Sequence, residues 1–256
     1  MSSAIPESIA AALSFAHPSW RPALERGLAA VAAADPDYLP ALAADRYLPT
    51  RGRLFAAFVL PKNAVRYVLV GEGPYPREES ATGVCFMDGA VGALWSDAGL
   101  SKQVNRATSL RNFMKMLLVA DGKLQENDTG GAAMAPVAAQ ARADAGVIQT
   151  LAELQANLIA RGFLLLNAAL VFREHVAPVK DAKGWRPFLQ TVLAELESSA
   201  PTLVLWGKIA EQLQALPEAA RMPQVLAEHP YNLSFIGNKS MQALFGPMHL
   251  LSWRAP

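Results

Sequence analysis

The sequence predicts an α/β fold, a three-layer α/β/α arrangement around a central, mostly parallel sheet of about four strands. Three observations predict it. Four short apolar bursts, "VRYVLVG" (65–71), "GFLLLNAAL" (162–170), "PTLVLWG" (201–207) and "PQVLAEHP" (223–230), each run into a polar or glycine-containing loop. Helical patterns separate them, and strands that alternate with helices form parallel sheets buried on both faces. Hydrophobic residues make up 52% of the 256-residue chain and charged residues 18%, enough to cover such a sheet with a sizeable core.

The elements follow in order. Residues 1–45 are rich in alanine, with Leu, Trp20 and Tyr38 at helical spacings and prolines that divide them into short helices. The β-branched run 65–71 ends in a corner, "VGEGPYP", whose two prolines restrict their neighbours while Gly71 and Gly73 permit close backbone approach. Helices are expected over 109–121, 146–162, 185–199 and 209–216. The stretches 87–107 and 121–145 read as surface-loop insertions in a single domain spanning 1–256.

Several classes of protein are excluded from the start. One cysteine, Cys85, rules out a disulfide framework and any four-cysteine metal or iron–sulfur site. His17, His175 and His249 are isolated and lack metal-ligand spacing, so neither a metal nor any other cofactor is expected. No apolar run approaches the length of a membrane span and no basic leader precedes "IAAALSFA", which points to a soluble cytoplasmic protein, expected to be a monomer without a membrane partner. The net charge of +1 neither requires nor forbids nucleic acid, because binding needs a local basic patch.

Open parallel sheets place function just beyond the strand C-termini. That rule marks 71–77, 167–175, 207–208 and 229–234. Asn167 interrupts an apolar burst, where an unsatisfied amide costs roughly 1–3 kcal/mol. It either ties down a loop or presents its acceptor and donors to the planar edge of a base. His229 is either a loop residue or a donor to an anion that develops on a substrate.

Eight motifs then stand in order: "GEGPYP" (71–76), "GVCF" (83–86), "SLRN" (109–112), "LLLN" (164–167), "GWRPF" (184–188), "VLWG" (204–207), "HPYNLS" (229–234) and "FIG" (235–237). Together they resemble the uracil-DNA glycosylase superfamily, and within it the family 1 enzymes, which read GQDPYH, GLxF, SLRN, LLLN, GW..F, LLWG, HPSPLS and FFG. The resemblance implies a uracil-DNA glycosylase-like fold and a DNA-repair activity: extrusion of uracil, or a related deaminated base, from DNA and hydrolysis of its N-glycosidic bond. It also implies roles. Gly71 and Gly73 shape the base pocket, Tyr75 excludes a C5 methyl group, Phe86 stacks on the base and Asn167 reads its edge. His229 donates to uracil O2, Leu233 wedges into the duplex, and Ser109 and Ser234 hold phosphates.

The departures matter as much. The aspartate of GQDPYH falls on Gly73, its glutamine on Glu72 and its final histidine on Pro76. In HPSPLS the first serine becomes Tyr231 and the second proline Asn232, while a histidine before GW becomes Lys180, so Tyr231 and Lys180 alter the DNA-facing rim. A carboxylate ~4 Å from an oxocarbenium-like sugar, at an effective dielectric of ~20, contributes on the order of 4 kcal/mol, about a thousandfold in rate. "GEGP" also resembles the GEAPG of the superfamily's iron–sulfur branch, whose acid follows the first glycine. Glu72 therefore either takes over from the missing aspartate or lines the pocket without catalysis. Two rival readings stay open beside excision of uracil: a pseudoenzyme that binds uracil or DNA, and a glycosylase for a different damaged base.

Overall fold

The computed structural model describes residues 5–253; the ends of the expected 1–256 domain, 1–4 and 254–256, lie outside the described residues. Six strands are named here in chain order: β1 (Tyr67–Gly71), β2 (Trp95–Ser96), β3 (Gly99–Leu100), β4 (Phe163–Asn167), β5 (Thr202–Trp206) and β6 (Gln224–Ala227). The helices are α1 (Glu7–Ala11), α2 (Arg21–Ala34), α3 (Tyr38–Ala43), α4 (Lys102–Arg106), α5 (Thr108–Ala120), α6 (Gly131–Ala143), α7 (Leu151–Ala160), α8 (Pro178–Leu196), α9 (Lys208–Gln214), α10 (Pro217–Ala220) and α11 (Lys239–Phe245).

A four-stranded sheet in the order β4-β1-β5-β6 forms the centre, with β1 parallel to both β4 and β5. Strands β1, β4 and β5 are apolar on both faces, with Val68, Leu69, Val70, Leu164, Leu165, Leu203 and Val204 at 1% exposure or less. That is the burial a parallel sheet between helical layers requires. The register places Gly71 beside Asn167, so two of the expected strand-end residues are direct neighbours.

The chain resolves into two compact units. The first comprises 1–89, 162–205 and 209–224. In it α2 and α8 pack closely: a Cβ on Gly27 would stand 2.6 Å from the Phe188 ring. Phe55, Phe58, Trp20, Trp185 and Phe188 join in an aromatic cluster of mostly edge-on and tilted contacts. A buried polar network fixes the start of α8. Asp181, 1% exposed, accepts from the Tyr38 hydroxyl at 2.7 Å and from Arg173 at 2.6 Å, and Arg173 also reaches Asp45 at 3.2 Å.

The second unit comprises 90–161, 206–208 and 225–256. Its core gathers Phe113 of α5, Trp206, Phe235 and Phe245 of α11. The Trp206 indole N–H points to Met241 Sδ at 3.2 Å.

The two stretches expected to be surface loops contain regular structure. Residues 87–107 hold the β2–β3 hairpin and α4, and 121–145 holds α6. The alanine-rich sequence of α6 lacks a strong apolar stripe, which hid it, but Met134, Ala138 and Ala141 are buried on one side. Two helix starts also move. The helix expected from 185 begins at Pro178, a residue suited to a first helical turn. The one expected from 146 begins at Leu151, after a capping box between Thr150 and Glu153.

Candidate active site

In the first unit the corner 71–76 follows β1 and is laced to the end of β4. Ala168 N–H donates to Gly71 O at 2.8 Å and Ala169 N–H to Glu72 O at 3.0 Å. A Cβ on Gly71 would stand 2.5 Å from Cys85 Sγ and 3.1 Å from Asn167 Oδ1, so glycine is what lets the corner, the cysteine and the amide share this space. Cys85 N–H in turn donates to Leu165 O at 3.0 Å, which pins the "GVCF" loop beside β4. The next residue, Phe86, is held at φ +68°, a left-handed conformation rare for a bulky side chain. Strained backbone of that kind collects at functional sites.

Asn167 is 4% exposed, and among the described residues no hydrogen-bond partner closes on its amide. A buried, uncommitted amide at a strand end is an arrangement poised for a planar hydrogen-bonding ligand. Burial, with Asp88 and Cys85 nearby, pushes the Tyr75 phenol above its ordinary pKa, so it stays neutral. Burial likewise pushes the Cys85 thiol up to about 12, against a smaller opposing hydrogen bond from the Gly71 backbone.

Gly73 differs from Gly71. A Cβ there would meet only Ala169 O at 3.6 Å and Ala169 Cβ at 3.8 Å, ordinary contact distances. Glu72 and Gly73, with Pro74 and Pro76, line a cavity of about 760 Å³ whose wall also includes Lys183 and Arg186 of α8; Tyr75, Phe86 and Asn167 do not line it. Glu72 is exposed. Lys180, on the first turn of α8, is exposed and does not line this cavity.

In the second unit the "HPYNLS" loop is held from three sides. Gly207, at φ +62°, leaves room where a Cβ would stand 2.9 Å from the His229 Cβ. Asn112, fully buried, donates through Nδ2 to Pro230 O at 2.7 Å and to Tyr231 O and Asn232 O at 3.3 Å each. The His229 ring accepts the Tyr231 N–H at Nδ1 over 3.1 Å. In the neutral ring the proton therefore sits on Nε2, the remaining nitrogen, as a hydrogen-bond donor. Beyond it Tyr231 and Leu233 are 67% and 69% exposed, while Phe235 is fully buried and anchors the turn.

Ser109 sits in the first turn of α5, where free backbone N–H groups and the helix dipole favour anions. Ser234 is exposed and bonds Glu228; burial works against that carboxylate, but hydrogen bonds from Ser234, the Glu228 backbone and Asn238 together more than offset it and hold its pKa below the ordinary value. Asn112 and Gly207 support the loop from outside it, so no pattern within the loop marks them. Their signal was their place in "SLRN" and "VLWG".

Among the described residues no group of three His, Cys, Asp or Glu could hold a metal ion, and no helix is long and apolar enough to cross a membrane.

Adjacent parallel strands in a central four-stranded sheet, ending in a Gly/Pro corner and a buried amide, define the class as an α/β protein. No protein-family profile matches the sequence. The chain is, however, 30% identical over 220 residues to a uracil-DNA glycosylase of a Nocardioides species, covering 85% of this chain and 80% of that one. It is 28% identical to uracil-DNA glycosylase 2 of Streptomyces coelicolor, covering 81% of each. The crystal structure of the UNG of Nitratifractor salsuginis superposes with a TM-score of 0.88 at 42% identity, covering 96% of this chain and 97% of that one. Mimivirus uracil-DNA glycosylase, at 18% identity and a TM-score of 0.54 over 86% of this chain and 71% of that one, shares the fold. The chain belongs to the uracil-DNA glycosylase family, whose members are glycosylase hydrolases of DNA repair.

Proposed function

We propose that the protein extrudes uracil, or a related deaminated base, from DNA and excises it by hydrolysis of the N-glycosidic bond. The observation that carries this reading is the Asn167 amide, buried at the end of β4 in register with Gly71 and uncommitted among the described residues. A uracil edge satisfies such an amide; cytosine would set its exocyclic amine against a donor and leave both unpaired.

Each remaining residue then has a task. Phe86 stacks on the base, and Tyr75 with Gly71 and Gly73 closes the pocket against thymine. As the bond from the sugar C1′ to uracil N1 breaks, its electron pair goes to the base, and negative charge builds on O2. The His229 Nε2–H donates to that oxygen, stabilising the leaving anion. Water attacks C1′, and Glu72 takes the water's proton and faces the cationic sugar in place of the aspartate that Gly73 lacks. The products are an abasic site and the uracil anion, which becomes free uracil by taking up a proton from solvent as Glu72 releases the one it took. Leu233 fills the gap left in the stack, while Ser109, Ser234 and Lys180 hold phosphates, contacts that weaken with salt.

Single-turnover release of uracil from a labelled oligonucleotide tests the scheme. Wild-type chain is expected to cleave and Glu72→Gln to lose most of the rate; an unchanged rate removes Glu72 from the mechanism.

Gly73 favours a second reading, a protein that binds uracil-containing DNA without excising it. Gel-shift binding with no alkali-sensitive scission after long incubation would support it over the first.

A further inference from the structure

Tyr231 occupies an unusual position for a large aromatic side chain. It is 67% exposed, and among the described residues its ring and hydroxyl have no hydrogen-bond or ring partner. Its backbone is nonetheless fixed. The Tyr231 N–H donates to His229 Nδ1 at 3.1 Å, its carbonyl accepts from the buried Asn112 at 3.3 Å, and the next residue's N–H closes a turn onto His229 O at 2.9 Å. A mobile loop can hide an apolar side chain against its own surface; this loop is tied on both sides and keeps the ring in water. Leu233, two residues on and 69% exposed, is presented in the same way, while Phe235 anchors the segment in the core.

We propose that Tyr231 is a stacking platform for a nucleobase that flanks the extruded base. This rests on the reading of the protein as a DNA glycosylase and adds a specificity-determining contact to it. Two residues of extended chain reach at most about 7 Å, roughly two steps of stacked bases at ~3.4 Å each. One loop can therefore place Leu233 in the vacated space and the Tyr231 ring against the neighbouring base. A tyrosine suits the task because its ring is apolar, amphipathic at the tip and restricted to two side-chain torsions. It carries no charge for a phosphate, which makes a base face the better partner. Because the Tyr231 N–H also sets the His229 tautomer, a base seated on the ring steadies the residue that faces the leaving group.

The test uses the full chain and a uracil oligonucleotide with 2-aminopurine next to the uracil. Wild type is expected to keep the 2-aminopurine quenched as the uracil leaves the stack, because stacking quenches it. Tyr231→Ser is expected to lose the quenching and to bind or cleave about ten- to a hundredfold less well. Tyr231→Phe keeps the ring and is expected to restore both. Wild-type cleavage with an unaffected Tyr231→Ser variant overturns this assignment alone, as does a Tyr231→Phe variant as impaired as Tyr231→Ser. A wild-type chain that neither binds nor cleaves the oligonucleotide overturns the glycosylase reading and this assignment with it.

Discussion

Asn112 Nδ2 donates to the carbonyl oxygen of Pro230 at 2.7 Å, across 118 residues of sequence. The Asn112 amide is oriented for this by Arg111, whose Nε donates to Oδ1 at 3.3 Å. The loop that bears His229 thus hangs from a fully buried side chain in α5. Replacing Asn112 by Ala leaves the buried Pro230 carbonyl without this donor and is expected to cost about 1–3 kcal/mol of stability. Excision should fall further than stability alone explains, because His229 is no longer held. Thermal melting and single-turnover rates, measured together, check this; full activity in a destabilised variant would show that the bond serves the fold only.

Gly71 makes a different prediction. A methyl group there would collide with Cys85 Sγ at 2.5 Å, so Gly71→Ala is expected to lose about 1–3 kcal/mol through overpacking. It should also displace the Asn167 oxygen, 3.1 Å from the same position, and weaken uracil recognition. Adding Cys85→Ala removes the sulfur and should recover part of the melting temperature. If the double variant melts no higher than Gly71→Ala, the clash is not with the sulfur.

Gly73 has space that Gly71 lacks. Gly73→Asp should fold normally, since its Cβ meets nothing closer than 3.6 Å. A carboxylate there, ~4 Å from the cationic sugar, can raise the excision rate by as much as about a thousandfold at an effective dielectric of ~20. A single-turnover rate no higher than wild type would mean that the corner does not present the acid to the sugar.

The Cys85 thiol is fully buried, and burial pushes its pKa up to about 12. Thiolate is the reactive form, so the native chain should resist a thiol-specific reagent at pH 8 and react completely in denaturant. Rapid labelling of the native chain would show that the "GVCF" loop opens.

Acid should weaken one tie in the first unit. Hydrogen bonds from Lys62, at 3.0 Å, and from Arg26 hold the Glu195 carboxyl below its ordinary pKa of 4.5. A folded-state pKa below the unfolded value stabilises the fold above about pH 4.5, and that contribution disappears as pH falls through the lowered value. The pair is partly exposed, so its worth is about 1 kcal/mol or less. Glu195→Gln should flatten this part of the acid limb in denaturation curves taken between neutral pH and pH 3; an identical limb would remove the pair from the balance.

How much of this was legible in the sequence depends on how far apart the interacting residues lie. Strands β1, β4 and β5 were plain, because a strand buried on both faces needs an unbroken apolar run; β6, half-buried to exposed, carries a weaker one. The corner, Asn167 and His229 followed, since each lies at or just past the end of such a run. Helix starts were harder. Gly184 and the charges around it interrupt the apolar pattern, yet α8 continues through them. Asp181 pairs with Arg173 and accepts a hydrogen bond from Tyr38, and Gly184 packs where a Cβ would stand 2.5 Å from the Tyr38 ring. Arg173 lies eight residues before Asp181, but Tyr38, which meets both Asp181 and Gly184, lies far off in the chain.

By itself, then, the sequence determined the α/β class, the strand ends and the identity of the residues gathered there, because apolar periodicity and backbone-restricting residues act locally. Only the tertiary structure decided that Gly71 must be glycine and Gly73 need not be. It alone showed that Asn112 and Gly207 hold the His229 loop, and that Tyr231 stands exposed on a fixed backbone. Clearances and hydrogen bonds between distant segments settle those points, and no local pattern carries them.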